Sequence, residues 1–259
     1  MKERARELVA GGGVVALTGA GVSAEAGIPT FRDPGGLWDR FEPSRFGSWK
    51  GLGREAMERP DAVASFLGEL RRVLARARPT DAHRALARLE DMGLVDGVIT
   101  QNVDGLHQEA GSRRVLEIHG SFTQLVGVVC PHREEIDRRR FVEVLDRAIA
   151  GLRSAFVPSM ASILPRCSAD GAPMRPDFVG FGEALHGFEE AEALARTARV
   201  LLVVGTSGDV MPAASLPDTA RAAGASVVEV GPGDATIHAD VRLRGRAGEI
   251  LPLLVPEEG

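Results

Sequence analysis

A doubly wound α/β sheet with a smaller inserted lobe is the fold this 259-residue sequence predicts, and three observations predict it. Short apolar runs rich in β-branched residues recur at Val14 to Leu17, Val95 to Thr100, Leu116 to Ile118, Val200 to Val204 and Ser226 to Val230, the pattern of strands buried on both faces. Stretches with helical spacing of apolar residues lie between them. The runs end in Gly, Ser, Thr, Asn, Asp and His, and open α/β sheets hold ligands at the carboxyl ends of their strands. Residues 121–183 break the rhythm and read as an inserted module.

Composition narrows the classes. Apolar content of 44% and charged content of 26% suit a globular protein long enough to bury a substantial core. A formal charge of −5 argues against general nucleic-acid binding. No apolar run approaches the ~20 residues of a membrane helix, and MKERARELVAGGG is a charged helical start without a secretory h-region. The expected setting is the cytoplasm, with neither nucleic acid nor membrane as partner. Cys130 and Cys167, far apart in sequence, do not read as a disulfide there.

Taken in order, residues 2–10 carry Ala5, Leu8 and Val9 on one face, a short helix ended by three glycines. The strand from Val14 runs into Gly19-Ala20-Gly21, and Ser23, Ala24, Glu25 and Ala26 read as a helix start. Strand, glycine turn and helix N-terminus together make an anion site, because glycine admits close approach and first-turn N–H groups point at a phosphate. The spacing is not G-x-G-x-x-G, since the next glycine is Gly27. Thr30 to Trp38, with Phe31 and Arg32, reads as a lid over that site. Residues 39–59 read as loop with short helical pieces. Val63, Phe66, Leu67, Leu70, Val73 and Leu74 make one helix face; Ala82, Leu86, Leu89 and Met92 make another, capped by Thr80 or Asp81 and stopped by Gly93.

The strand at 95–100 delivers Gln101-Asn102-Val103-Asp104, and the next ends in His119-Gly120. The later strands end in Gly205-Thr206-Ser207 and Gly231-Pro232-Gly233, with helices at Phe188 to Thr197 and about Leu216 to Ala223 between them. In the inserted module Leu125 to Val129 is a strand candidate, Glu134 to Arg153 a helix, and Phe156 to Pro176 irregular. The sheet part is expected over about 1–38, 93–120 and 184–259. The small lobe is expected over about 39–92 and 121–183, with the ligand in the cleft between.

With GAGVSAEAGIPTFRDPGGLW, TQNVDGLH, EIHGS, RPDFVGFGE, GTSGDVMPAASLP and RLRGRAGEILPLL in order from Val14 to Leu254, the chain resembles the sirtuins, NAD-dependent protein deacylases. The resemblance implies a Rossmann-like NAD domain, a smaller lobe with structural zinc, and removal of acyl groups from lysine coupled to NAD cleavage. It implies that Gly19, Ala20, Gly21, Ser23 and Ala24, with Gly205, Thr206 and Ser207, hold the diphosphate and adenosine side, and that Gly231 and Ala247 fall at cofactor positions. Phe31 and Arg32 would close over the nicotinamide ribose. Gln101 and Asn102 would meet ribose hydroxyls and an ordered water, and Val103 and Asp104 the carboxamide. His119 would act as general base, suited by an unperturbed pKa near 6.5. Gly180, Phe181, Gly182 and Glu183 would form the edge where an acyl-lysine peptide adds as a strand. The other histidines, His107 among them, receive no catalytic role. Transfer of ADP-ribose to protein, hydrolysis of NAD and NAD sensing without turnover are the alternative activities.

The sequence departs from the family at four places, one of them Gly180, which stands where the family's V-x-F-G-E segment often has a large residue and predicts a looser acyl or peptide channel. The two C-x-x-C pairs of the zinc site appear as Gly127 with Cys130 and Cys167 with Asp170. The expectation is a metal-free module; a site from Cys130, Cys167, Asp170 and His132 is the alternative. An asparagine expected after the late strand is Gly231, which predicts weaker NAD binding. A Tyr-x-x-Arg pair of the family's succinyl- and malonyl-removing members has no counterpart in Phe66 to Leu70, so a neutral acyl group, acetyl first, is the expected substrate.

Overall fold

The computed structural model describes residues 1–29, 37–154, 164–233 and 236–257. It divides into two compact units, one of Met1–Ile28, Arg78–Ile118 and Leu185–Gly259, the other of Pro29–Ala77 and His119–Ala184. The strands in chain order are β1 (Val14–Thr18), β2 (Val95–Thr100), β3 (Val115–Glu117), β4 (Gly120–Gly127), β5 (Arg133–Glu135), β6 (Met174–Phe178), β7 (Val200–Val204), β8 (Ser226–Gly231) and β9 (Val241–Arg244). Among the described residues no helix is long and apolar enough to cross a membrane.

The first unit is built on a six-stranded sheet in the order β3-β2-β1-β7-β8-β9, every pair parallel. Alternation along the strands feeds two cores. Val14, Ala16, Val200, Leu202, Val204, Val228 and Val230 pack on one face with the helices Lys2–Ala10 and Asp81–Asp91 and the segment Ala247–Leu254. Val15, Leu17, Ile99, Leu201, Val203 and Val227 pack on the other with the helices Phe188–Thr197 and Leu216–Ala222. Burial on both faces is why these strands read as unbroken apolar runs. Strand order reverses between β1 and β7, which opens a crevice at their carboxyl ends.

The helix Asp81–Asp91, expected in the small lobe, belongs here instead. Ala82, Ala85, Leu86 and Leu89 form its core stripe against β1 and β2. Its N-terminus is held by a capping box in which His83 takes the place usually filled by Glu: Thr80 N–H donates to His83 Nδ1 and His83 N–H to Thr80 Oγ1. β9 has no counterpart in the sequence reading, because its four residues offer only Val241 and Leu243 as a pattern.

The second unit carries a three-stranded antiparallel sheet in the order β5-β4-β6 and a core of Phe46, Leu52, Ala56, Val63, Phe66 and Leu152. The expected helix from Glu134 begins only at Arg138, where Asp137 caps it by accepting from Arg140 N–H at 2.7 Å; the residues before it form β5. β6 runs across the end of the stretch expected to be irregular, of which 155–163 lie outside the described residues. Glu55, 1% exposed, is clasped by Arg45 and Arg59 at 2.5 Å each. Burial alone would raise its carboxyl, but the two guanidinium groups outweigh that and hold it below the usual range.

Candidate active site

The crevice of the first unit is made by two glycine turns that touch. Gly21 N–H donates to Gly205 O at 2.8 Å and Gly19 N–H to Val204 O at 3.0 Å. A Cβ on Gly21 would stand 2.6 Å from Gly205 Cα, and one on Gly19 would stand 2.8 Å from Thr206 Cβ. Only glycine lets the end of β1 lie this close to the end of β7. The helix expected to start after Gly21 does not form. Two three-residue 3₁₀ turns, Ala20–Val22 and Ala24–Ala26, stand there, and the Gly21 N–H expected to face a phosphate is spent on Gly205. The tertiary contact between the turns takes precedence over helix propagation. Gly21→Ala is therefore expected to cost about 1–3 kcal/mol of stability and to weaken NAD binding at least tenfold, read by thermal unfolding and by titration calorimetry.

Behind the turns lies a saturated hydrogen-bond network. Ser23 Oγ donates to Asp104 Oδ2 at 2.7 Å and accepts from Asn102 Nδ2 at 3.1 Å. Asn102 Nδ2 also donates to Gly19 O at 3.1 Å. With its N–H groups spent, what the Asn102 side chain offers a ligand is the Oδ1 acceptor. Asp104 Oδ1 accepts from Leu106 N–H at 3.0 Å, and Gln101 Nε2 donates to Thr206 Oγ1 at 3.0 Å, joining the ends of β2 and β7. Asn102 and Asp104 are both buried at 7% exposure. These polar groups are thus fixed before any ligand arrives.

Two histidines that the sequence reading left without a role support this network. His83 Nδ1 accepts from Thr80 N–H at 3.2 Å, so its hydrogen sits on Nε2, 3.4 Å from Ser23 Oγ. Thr18 Oγ1 donates to Thr100 Oγ1 at 2.8 Å and lies 2.9 Å from His107 Nε2, which therefore donates to it. Thr100 Oγ1 in turn accepts from Asn102 N–H at 3.1 Å. The two imidazoles lie 4.6 Å apart, and His107 Nδ1 is buried without a hydrogen-bond partner among the described residues. Burial, with the neighbouring His107 and Arg84, pushes His83 down to about 3, and burial pushes His107 down to about 4. Both are neutral at pH 7. The only signal for them in the sequence was Thr80-x-x-His83, a helix cap; the partner Ser23 is 60 residues away.

The remaining expected positions vary. Ser207 O accepts from Thr236 N–H at 3.1 Å, closing the turn after β7. Gly231 ends β8 with ordinary backbone, and a Cβ there would meet only Glu229 Oε1 at 3.8 Å. Ala24 begins the second 3₁₀ turn, and Val103 lies in irregular chain between Asn102 and Asp104. The side chain of Ala247 sits in the core under the sheet. Phe31 and Arg32 lie outside the described residues.

In the second unit, His119 is half-buried and directly follows Ile118, whose N–H donates to Thr100 O at 3.0 Å in the first. Its carbonyl accepts from Val179 N–H at 2.8 Å. Gly180-Phe181-Gly182-Glu183, expected as an extended edge, is a turn. Gly180 N–H donates to Glu183 Oε2 at 2.8 Å, Glu183 N–H to Gly180 O at 3.0 Å, and Phe181 N–H to Gly47 O at 2.8 Å. Gly182 at φ +86° turns the chain back. Cys130 Sγ, Cys167 Sγ and an Asp170 oxygen lie within 4.8 Å of one another. The His132 backbone N–H pulls the Cys130 thiol down, but burial together with Asp170 and Cys167 outweighs it and holds the thiol above its usual range.

Comparison with known proteins puts this geometry in context. The family model described as the Sir2 family matches residues 19–212. An NAD-dependent protein deacylase 2 of Pyrobaculum aerophilum is 45% identical over 247 residues, covering 94% of this chain and 90% of the relative. An NAD-dependent protein deacylase of Desulfosudis oleivorans is 40% identical over 257 residues, covering 98% and 94%. A solved Sir2 histidine-to-alanine variant with a deacetylated p53 peptide and 3′-O-acetyl ADP ribose superposes with a TM-score of 0.78 at 31% identity, covering 97% of this chain and 96% of that one. A match over most of the chain, with relatives at this identity over nearly their whole length, shows that the chain belongs to the Sir2 family.

Proposed function

We propose that the chain is an NAD-dependent protein-lysine deacylase, acting first on acetyl-lysine in protein or peptide substrates and releasing nicotinamide and O-acyl-ADP-ribose. The observation that carries this reading is the network in which Ser23 ties Asn102 to Asp104 beside the glycine turns of β1 and β7. It presents an acceptor and a buried carboxylate where an α/β sheet takes a nucleotide, and the touching glycines leave backbone, not side chains, along the crevice. These residues fit NAD.

Bound NAD supplies a ribose carbon that nicotinamide can leave and to which an acyl oxygen can bond. The protein's part is binding, orientation and proton transfer. Gly19 to Gly21, Ser23, Ala24 and Gly205 to Ser207 would hold the diphosphate side; Gly231 and the backbone of Ala247 would meet the adenosine. Gln101 and the Asn102 Oδ1 acceptor orient ribose hydroxyls, with Asn102 also holding the water of the reaction. Val103 and Asp104 hold the carboxamide, and Phe31 and Arg32 cover the site. His119 takes the proton of a ribose hydroxyl, and Gly180 to Glu183 receive the peptide once their internal hydrogen bonds open.

Zinc does not fit the family's closed four-donor form. Gly127 carries no donor, and among the described residues His132, the fourth donor of the alternative site, does not join Cys130, Cys167 and Asp170, whereas a structural zinc site closes with four. We place the protein in the cytoplasm on its sequence alone.

The test is mass spectrometry of the purified protein with NAD and an acetyl-lysine peptide. Deacetylated peptide with O-acetyl-ADP-ribose supports the reading; NAD consumed without that product moves it to ADP-ribosyl transfer or NAD hydrolysis. Two further outcomes are expected. Succinyl-peptide turnover is at least tenfold slower than acetyl-peptide turnover, because Phe66 is packed in the core and Glu69 is ion-paired with Arg40, leaving no cation-phenol pair for a carboxylate. Gly231→Asn, which the open space beside Gly231 accommodates, lowers the KM for NAD by about 2- to 10-fold by adding one hydrogen bond.

A further inference from the structure

The densest cluster of nucleophilic side chains away from the crevice lies in the second unit, where the loop after β4 meets the turn from Cys167 to Ala172. Cys130 and Cys167 are the chain's only cysteines. Their sulfurs lie within 4.8 Å of each other and of the Asp170 carboxylate. The turn is rigid: Cys167 N–H donates to Ala172 O at 2.8 Å, Gly171 N–H to Cys167 O at 2.9 Å, and Ala172 N–H to Asp170 Oδ1 at 2.9 Å. The opposing loop is held by Gly127 N–H on His132 O at 2.9 Å. A Cβ at position 127 would collide with Cys130 Sγ, so the thiol fills the volume where a fourth donor would stand and is turned toward Cys167. The Asp170 carboxylate lies within 4.8 Å of both sulfurs, and the Ala172 N–H together with the two thiols holds it below its usual range.

We propose that Cys130 and Cys167 form a reversible dithiol–disulfide pair that staples the loop after β4 to the turn before β6, taking over the mechanical role of a metal. A disulfide needs about 2.05 Å between sulfurs, so at most about 2.8 Å must be closed from the 4.8 Å limit, within reach of rotation about the two χ1 angles. The oxidant is a peroxide. Cys130, half-buried, meets it first: its minor thiolate form attacks one peroxide oxygen, the O–O bond breaks, the departing hydroxide takes up the proton the thiol lost, and a sulfenic acid and one water result. Cys167, 3% exposed, then attacks that sulfur; its proton and the departing hydroxyl leave as a second water. Two thiols and one hydrogen peroxide give one disulfide and two waters. A dithiol reverses the step by exchange. Disulfides in a reducing compartment are of this transient kind.

The test uses the full chain, treated for hours with hydrogen peroxide or kept in dithiothreitol. Peroxide is expected to lower the intact mass by two hydrogens, to take reagent-accessible thiols under denaturant from two to none, and to yield one peptide pair joined through Cys130 and Cys167. Dithiothreitol restores both thiols. The oxidised chain should melt about 5 °C or more above the reduced one, the effect of closing a loop of this size. Cys130→Ser and Cys167→Ser each keep one thiol and show no such rise. Addition of oxygen to either cysteine without a joined peptide overturns the proposal. So does one equivalent of zinc in the purified protein that shields both thiols. Deacetylation is assayed in the same samples, and its presence or absence leaves the thiol result unchanged.

Discussion

Replacement of His119 by alanine is expected to slow lysine deacylation by about 10²- to 10⁴-fold, the usual loss on removing a general base, with little change in melting temperature. The stability expectation follows from position. The carbonyl of residue 119 accepts from Val179 N–H, and alanine supplies the same carbonyl. The side chain is half-buried and lies outside the core clusters. In the proposed reaction nicotinamide departs before His119 takes its proton, so exchange of labelled nicotinamide into NAD should survive in the variant while O-acyl-ADP-ribose falls away. That split separates a base from a residue that merely shapes the pocket. Deacylation unchanged in His119→Ala would remove the histidine from the mechanism; loss of both exchange and product would make it a binding residue.

The second large effect is a loss of stability in mild acid. His83 and His107 titrate at about 3 and about 4 in the folded chain, below the ordinary 6.5. Above pH 6.5 both are neutral, folded or unfolded, and their contribution is fully present. As pH falls below 6.5 the unfolded chain takes up protons that the folded chain refuses, and stability drops until the folded values are reached. Each histidine costs up to about 1.4 kcal/mol per pH unit in that window. The melting temperature should therefore fall by roughly 5 °C or more per unit between pH 6 and 5. The carboxyls that the fold holds low, Glu55, Asp146, Asp170 and Asp240, act only below about pH 4.5, so the upper part of the window isolates the imidazoles. His83→Gln should roughly halve the slope whatever it does to stability at neutral pH. A melting temperature flat from pH 7 to 5 would contradict a neutral buried pair. Because the folded chain keeps both rings neutral until about pH 4, the affinity of the folded protein for NAD should hold across the upper part of the window while the melting temperature falls.

Parts of this architecture were legible in the residues because burial writes them there. β2 and β7 match the sequence reading to the residue: β7 is buried at all five positions and has no polar residue to interrupt it, and in β2 Asp96 alone is exposed. The helix Phe188–Thr197 does too, with its stripe of Ala191, Leu194 and Ala195. The edge strand β9 and the strands β5 and β6 that flank β4 were not legible, being three to five residues with exposed or charged positions that give period two nothing to repeat on.

For the site, chemistry was legible and geometry was not. Residue types alone brought Gly19, Gly21, Asn102, Asp104 and Gly205 forward, because strand ends and glycine turns have a local signature. Whether a helix or a 3₁₀ turn follows Gly21 depends on Gly205, 184 positions away in the chain. The folded form of Gly180 to Glu183 depends on Glu183 reaching back to Gly180 N–H. The work of His83 depends on Ser23, and the meeting of Cys130 with Cys167 depends on two loops crossing. Periodicity and propensity are sums over neighbours along the chain. Hydrogen bonds between strand ends, and thiols brought together by loops, belong to distances in space that no window of sequence contains.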